Sequence, residues 1–208
     1  MNYDEILAWT KAERLGFADL LQELDEHEWQ ADSLCDGWTV HHVAAHMTMS
    51  TRTTLPIALK GAIRARGNWN RLVDGLARER AARFSPAEII AQIRETAGSA
   101  RRAPGAGPLD PLVDVLVHGQ DIARPLGRVR EMPVEPATAC LDYVLGSAFY
   151  GAPKRLRGTR LVATDADWTA GEGLDEVRGP VADLLLLATG RPAGLSGVSG
   201  PGTQRIAL

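Results

Sequence analysis

Ile6, Leu7, Leu15, Leu20, Leu21 and Leu24 recur at mostly helical separations, with Asp4, Glu5, Lys11, Glu13 and Arg14 between them, and this pattern predicts an amphipathic helix over residues 3–24. After a turn at Gly37, residues 38–60 read as a second helix, with Thr39 as its N-cap and Pro56 as a kink near its far end. Residues 61–85 are rich in Arg, Gly and Asn, and their apolar positions, Trp69, Leu72, Val73 and Leu76, predict a loop containing a short helix. Ser85-Pro86-Ala87-Glu88 is a helix start, with Ser as N-cap, proline in the first turn and Glu at the capping-box position. That third helix should run to about Arg102, where two prolines and two glycines between Ala103 and Pro108 break it. Asp110-Pro111 opens a fourth helix carrying Leu112, Val115, Leu116 and Ile122, closed by Pro125 and Gly127.

A fifth helix over about residues 135–150 ends where the pattern turns from helical to short and extended. Thr159 to Thr164 reads as a strand, Trp168 to Ala170 as a second and Glu176 to Arg178 as a third, separated by Asp and Gly turns, which predicts a small antiparallel sheet. Val181 to Ala188 reads as a buried helix stopped at Gly190, and Gln204 to Leu208 as a final strand able to pair with the hairpin. The fold class is therefore mainly α (α+β), with a helical bundle over residues 1–152 and a small α+β C-terminal domain over 153–208.

Composition narrows the function classes. A 45% hydrophobic and 24% charged chain of 208 residues is an ordinary globular one. Its net charge is −3, with arginines interleaved among acids, which argues against a nucleic-acid partner. The first 24 residues are too charged for a signal peptide, and no apolar run approaches the roughly 18 to 20 residues that span a bilayer. Two distant cysteines, Cys35 and Cys140, indicate no disulfide framework and fit a reducing compartment. A cytoplasmic protein without a membrane partner, as monomer or homodimer, is the expectation.

Two couples carry the candidate chemistry: His42 and His46 in the second helix, Asp114 and His118 in the fourth. Four-residue spacing places both members of a couple on one helical face, roughly 6 Å apart, which is how two adjacent helices present ligands to one ion. Imidazoles with a carboxylate suit zinc, iron, nickel or manganese, and three protein ligands with an open position mark a catalytic rather than a structural site. Spacing alone leaves surface or capping roles the commoner outcome. His46 lies roughly 110° from the centre of the stripe of Val40, Val43, Ala44 and Met47, and Asp114 and His118 lie away from the face of Leu112, Leu116 and Ala123.

The stretch Leu34-Cys35-Asp36-Gly37-Trp38-Thr39-Val40-His41-His42-Val43-Ala44-Ala45-His46-Met47 resembles the signature that opens the second helix of the mycothiol-dependent maleylpyruvate isomerase family, a branch of the DinB-like four-helix bundles. Asp114-Val115-Leu116-Val117-His118-Gly119-Gln120-Asp121-Ile122-Ala123-Arg124-Pro125-Leu126-Gly127 is similar to that family's second signature. Gly173 to Pro180, Leu184 to Leu187 and Gly190-Arg191-Pro192 resemble its small C-terminal domain. The resemblance implies a divalent metal, typically zinc, held by His46, Asp114 and His118, with mycothiol as cosubstrate. The characterised isomerase type carries Glu where this chain has the shorter Asp114. His42 falls at a position the family fills variably and suits a role behind the ligands or in helix packing. Asp121, one turn beyond His118, suits either orienting a ligand imidazole or arginine or a plain ion pair.

Trp38 reads as a staple under the bundle, Cys35 as core filler, and His27 and His41 as surface residues. Arg52, Arg124 and Arg178 are candidates for gripping carboxylates, although sequence does not separate them from surface arginines. Two functions follow. One is a metal-dependent isomerase or S-transferase that uses a small thiol on a small electrophilic substrate. The other is a non-catalytic, metal-dependent ligand-binding or regulatory module on the same fold.

Overall fold

The computed structural model describes residues 1–207 and divides into two compact units, Met1–Arg130 and Glu131–Leu208. The division precedes the 152/153 boundary that the pattern suggested. The reason is packing: the helix Val134–Leu145 buries Ala137, Cys140, Leu141 and Val144 and pairs with the helix Val181–Ala188 of the second unit.

In the first unit, α1 (Tyr3–Gln22) starts at Asn2, whose side chain accepts from Glu5 N–H while Glu5 returns a bond to Asn2 N–H. A short α2 (Glu26–Gln30) follows. The predicted second helix is three pieces: α3 (Val40–Met47), α4 (Met49–Arg52) and α5 (Leu55–Arg64). Thr53 and Thr54 are extended, and Pro56 lies in the first turn of α5, where its missing N–H is harmless, so it starts a helix instead of kinking one.

Residues 61–85, read as mostly loop, contain the 15-residue α6 (Trp69–Arg83), which Asn68 caps through a bond from Arg71 N–H. Its mean character is polar and only Ala77 is fully buried. What fixes it is a set of bonds to other elements. Trp38 Nε1 donates to Asp74 at 2.8 Å, Arg78 donates to the Gly37 carbonyl at 2.8 Å, and Arg80 Nε donates to Thr48 Oγ1 at 2.6 Å. Helix α7 (Pro86–Glu95) begins with the expected Ser85–Glu88 box but ends seven residues before Arg102, in turns whose carbonyls are taken by Arg14. Helix α8 (Asp110–Ala123) packs against α1 and α3 and buries every residue from Pro111 to Ala123 except Asp114. These helices form the bundle of the first unit.

The second unit contains α9 (Val134–Leu145), α10 (Ala152–Arg155), the strands β1 (Thr159–Ala163), β2 (Thr169–Ala170) and β3 (Asp175–Gly179), and α11 (Val181–Ala188). The sheet has the order β2-β1-β3 and is mixed, not antiparallel throughout. β1 pairs antiparallel with β2, while β3 runs parallel to it with Thr159 opposite Asp175 and Leu161 opposite Val177. Leaving β2, the chain crosses the start of β1. A Cβ at Gly173 would lie 2.0 Å from the Gly158 carbonyl oxygen, so only glycine lets the crossing pass this close. Leu184, Leu185, Leu186 and Leu187 of α11 are fully buried. The proposed last strand is absent among the described residues. Pro201–Arg205 is a 3₁₀ turn beside β3, and Leu208 lies outside the described residues. Among those residues no helix is long and apolar enough to cross a membrane.

Candidate metal centre

His46, Asp114 and His118 converge. One ligand atom from each lies within 4.8 Å of the others, and the two imidazoles meet edge to face with centroids 5.0 Å apart. The second turn of α3 supplies His46, and Asp114 and His118 lie one turn apart on α8, which packs directly on α3. Zinc bond lengths of 2.0–2.1 Å would set adjacent donors about 3.4 Å apart, so small side-chain adjustments suffice to close this set on an ion. Two imidazoles and a carboxylate therefore fit a divalent cation.

The imidazole of His118 is oriented from behind. Its Nδ1 donates to Asp121 Oδ2 at 2.8 Å, which leaves Nε2 as the nitrogen able to ligate. Asp121 is fully buried, and its Oδ2 also accepts from the Cys35 thiol at 3.2 Å. Cys35 Sγ lies 3.6 Å from His118 Nδ1, so Cys35, His118 and Asp121 form a second group of potential ligands sharing His118. Burial opposes a charge on His118. Its electrostatic interactions and hydrogen bonds with Cys35 and Asp121 outweigh it and push the pKa from 6.5 up to about 10.

Cys35 is thus a half-buried polar partner of the site and not core filler. Its loop is fastened to α8 by the Leu34 N–H, which donates to the Asp121 carbonyl at 3.0 Å. The same loop carries Trp38, whose ring lies 5.4 Å from that of His46, so one segment borders both imidazoles. A further contributor, Arg14, was legible only as one charge among several on α1. It is 4% exposed, donates to the carbonyls of Thr96, Ala97 and Ser99 and to Ser50 Oγ, and interacts electrostatically with Asp114. Burial lowers its pKa, and Asp114 counteracts that.

The other candidates fall elsewhere. His42 turns its Nδ1 to the N–H of Thr39 at 3.1 Å, closing the start of α3, and burial followed by Arg78 and His41 lowers its pKa against Asp74. His41 is half-buried and engaged, not free on the surface: its Nε2 donates to the Phe84 carbonyl at 3.1 Å and its ring stands edge to face on Trp29. His27 is exposed, as expected. Of the three arginines, Arg52 pairs with Glu95, Arg124 donates to Gln120 at 2.9 Å, and Arg178 pairs with Glu176 at 3.0 Å.

Fold and site together define a helical bundle with a histidine and carboxylate cluster set between two of its helices. The model of the mycothiol maleylpyruvate isomerase N-terminal domain matches residues 10–123, more than half of the chain, and the chain belongs to that family. Its fold is that of a crystal structure of a histidine-to-alanine mutant of the mycothiol-dependent maleylpyruvate isomerase, with a TM-score of 0.64 at 13% identity over 97% of this chain and 93% of that one. A second crystal structure of the mycothiol-dependent maleylpyruvate isomerase gives 0.58 at 16% identity, with the same coverage of both chains. No curated protein matches the chain.

Proposed function

We propose that this protein is a metal-dependent enzyme that uses a low-molecular-weight thiol, mycothiol, either to isomerise a small electrophilic substrate or to transfer the thiol sulfur onto it, with His46, Asp114 and His118 as metal ligands. The observation that carries the reading is the convergence of these three side chains, with His118 oriented by Asp121. These three residues would hold a divalent ion, zinc by preference and nickel, iron or manganese otherwise, which would lower the pKa of a nearby thiol towards neutrality. Asp121 and Cys35 fix the tautomer of His118, Trp38 limits the room beside His46, and Arg14 places a positive charge next to Asp114. In the isomerase chemistry, the cosubstrate sulfur adds to a cis carbon–carbon double bond conjugated with a carbonyl. The resulting single bond rotates, and elimination of the same sulfur returns the trans isomer and the unchanged thiol. Without elimination the product is the thioether.

Asp114, one methylene shorter than the glutamate of the isomerase type, favours a second reading in which the site binds metal and thiol but turns nothing over. The test is metal analysis of the purified protein, then a mycothiol titration and an assay with maleylpyruvate. One equivalent of metal with thiol-dependent turnover supports the enzyme. A stoichiometric metal that responds to mycothiol without turnover selects the binding module, and a protein without metal that keeps full stability in chelator defeats both.

A further inference from the structure

Helix α5 and the start of α6 carry an apolar surface that the proposed chemistry does not use. Leu55, Leu59 and Ile63 are 71%, 65% and 71% exposed, Trp69 is 53% exposed, and Leu55, Leu59, Trp69 and Leu72 border one shallow apolar groove. The outward aim is built into the helix. Its inner side is Gly61, where a Cβ would lie 2.3 Å from Leu72 Cδ1, so α5 packs on α6 through a glycine and keeps its large side chains on the outer face. A row of large apolar groups this exposed marks an interaction surface.

Charge indicates what covers it. Lys60, Arg64, Arg66 and Arg71 are all exposed around the row, and the chain has no Asp or Glu between Asp36 and Asp74, although the molecule as a whole is net −3. Arg64 reaches Glu79 only at 3.4 Å, between two exposed side chains. A symmetric pairing of two copies through this face would bring the cations of both against one another. Leucine, isoleucine and tryptophan on one side with lysine and arginine beside them is the arrangement by which an amphipathic helix sits at headgroup depth on an anionic bilayer. We propose that the outer face of α5, with Trp69, docks this protein reversibly on an anionic phospholipid surface.

The test is flotation of the full-length, metal-loaded protein with vesicles of phosphatidylglycerol and phosphatidylethanolamine, against vesicles of phosphatidylcholine. The protein should float with the first and not with the second. Each of Lys60→Gln, Arg66→Gln and Arg71→Gln should weaken the association about fivefold. The pair Leu59→Ser and Ile63→Ser should abolish it at an unchanged melting temperature, since both positions are exposed. No association, equal association with the neutral vesicles, or association that survives the paired serine substitutions would overturn the proposal. So would a self-associating protein that those substitutions render monomeric, which would assign the face to a second copy. Binding to polyglutamate as tight as to the vesicles would assign it to an acidic protein instead.

Discussion

Asp121→Asn isolates the hydrogen bond that orients the imidazole of His118, one of the proposed metal ligands. Asp121 is fully buried, and one of its oxygens accepts both from His118 Nδ1 at 2.8 Å and from the Cys35 thiol at 3.2 Å. Asparagine has the same shape, so packing is kept, but a carboxamide offers an acceptor on one side and a donor on the other. With its oxygen towards His118, the bond becomes a neutral one of roughly half the strength. With its NH₂ towards the ring, Nδ1 must accept, the proton moves to Nε2, and the ligating nitrogen is lost. Either arrangement weakens metal binding, and loss of such an outer-sphere carboxylate costs about 10–100-fold in affinity, which is about 1.4–2.7 kcal/mol. The fold should lose about 1–3 kcal/mol. Zinc competition against a chromophoric chelator reads the first quantity, and urea unfolding of the metal-free protein reads the second. A folded Asn variant that binds zinc within about threefold of the parent would refute the argument, because the ring would then hold its tautomer without the carboxylate.

Four other outcomes are expected. In metal-free protein the raised pKa of His118, about 10 against 6.5, means stability that is complete below about pH 6.5 and is lost as pH rises through about 10, by at most about 1.4 kcal/mol per unit. Urea midpoints of chelator-treated protein should fall across that window and those of His118→Gln should not. Because an ion must displace this proton, zinc affinity should rise by about tenfold per pH unit in the lower part of the window, and a flat profile would count against His118 as a ligand. Arg14→Met keeps the apolar stem and removes the group that donates to three carbonyls at the end of α7; it should cost about 3 kcal/mol in urea unfolding, and an unchanged midpoint would refute the role assigned to Arg14. Asp114→Glu lengthens the acid to that of the isomerase type and should raise thiol-dependent turnover of maleylpyruvate, by up to about 100-fold if reach is what limits it, at an unchanged metal content. No gain at equal metal content would mean that reach is not limiting.

The elements legible in the sequence are those whose cause is local. Ser85 with Glu88, Asp110 with Pro111, and the leucine run before Gly190 each start or stop a helix through neighbouring residues. Helix α6 was read as only a short helix in a loop because its stability comes from elsewhere. Asp74, Arg78 and Arg80 bond to Trp38, Gly37 and Thr48, contacts that leave no period in a stretch of low hydrophobicity. The parallel pairing of β3 was missed for a similar reason. A hairpin pattern does not say which edge a third strand takes, and the local trace of the crossing is a pair of glycines, Gly171 and Gly173, packed on Gly158 and Thr159.

The candidate site was legible in its residues but not in their direction, and the wheel argument shows why. Placing Asp114 and His118 away from the face of Leu112 and Leu116 points them to solvent only if α8 has a solvent side. It has almost none, since α1 and α3 both pack on it and Asp114 is the only residue of Pro111–Ala123 that is not buried. A trace of this stands in the sequence: residues 110–123 contain no lysine or arginine, and leucine, valine and Ile122 cover well over half of the wheel, wider than the stripe of a surface helix. On an enclosed helix the ordinary expectation for polar residues reverses. An ionisable group buried without a partner costs several kcal/mol, so His118 and Asp121 have to be satisfied inside the protein. They satisfy each other, and the imidazole of His46 and the thiol of Cys35 complete the set from the two segments that lie against them. Cys35 alone had no local signal, because only the fold brings its loop to the carbonyl of Asp121.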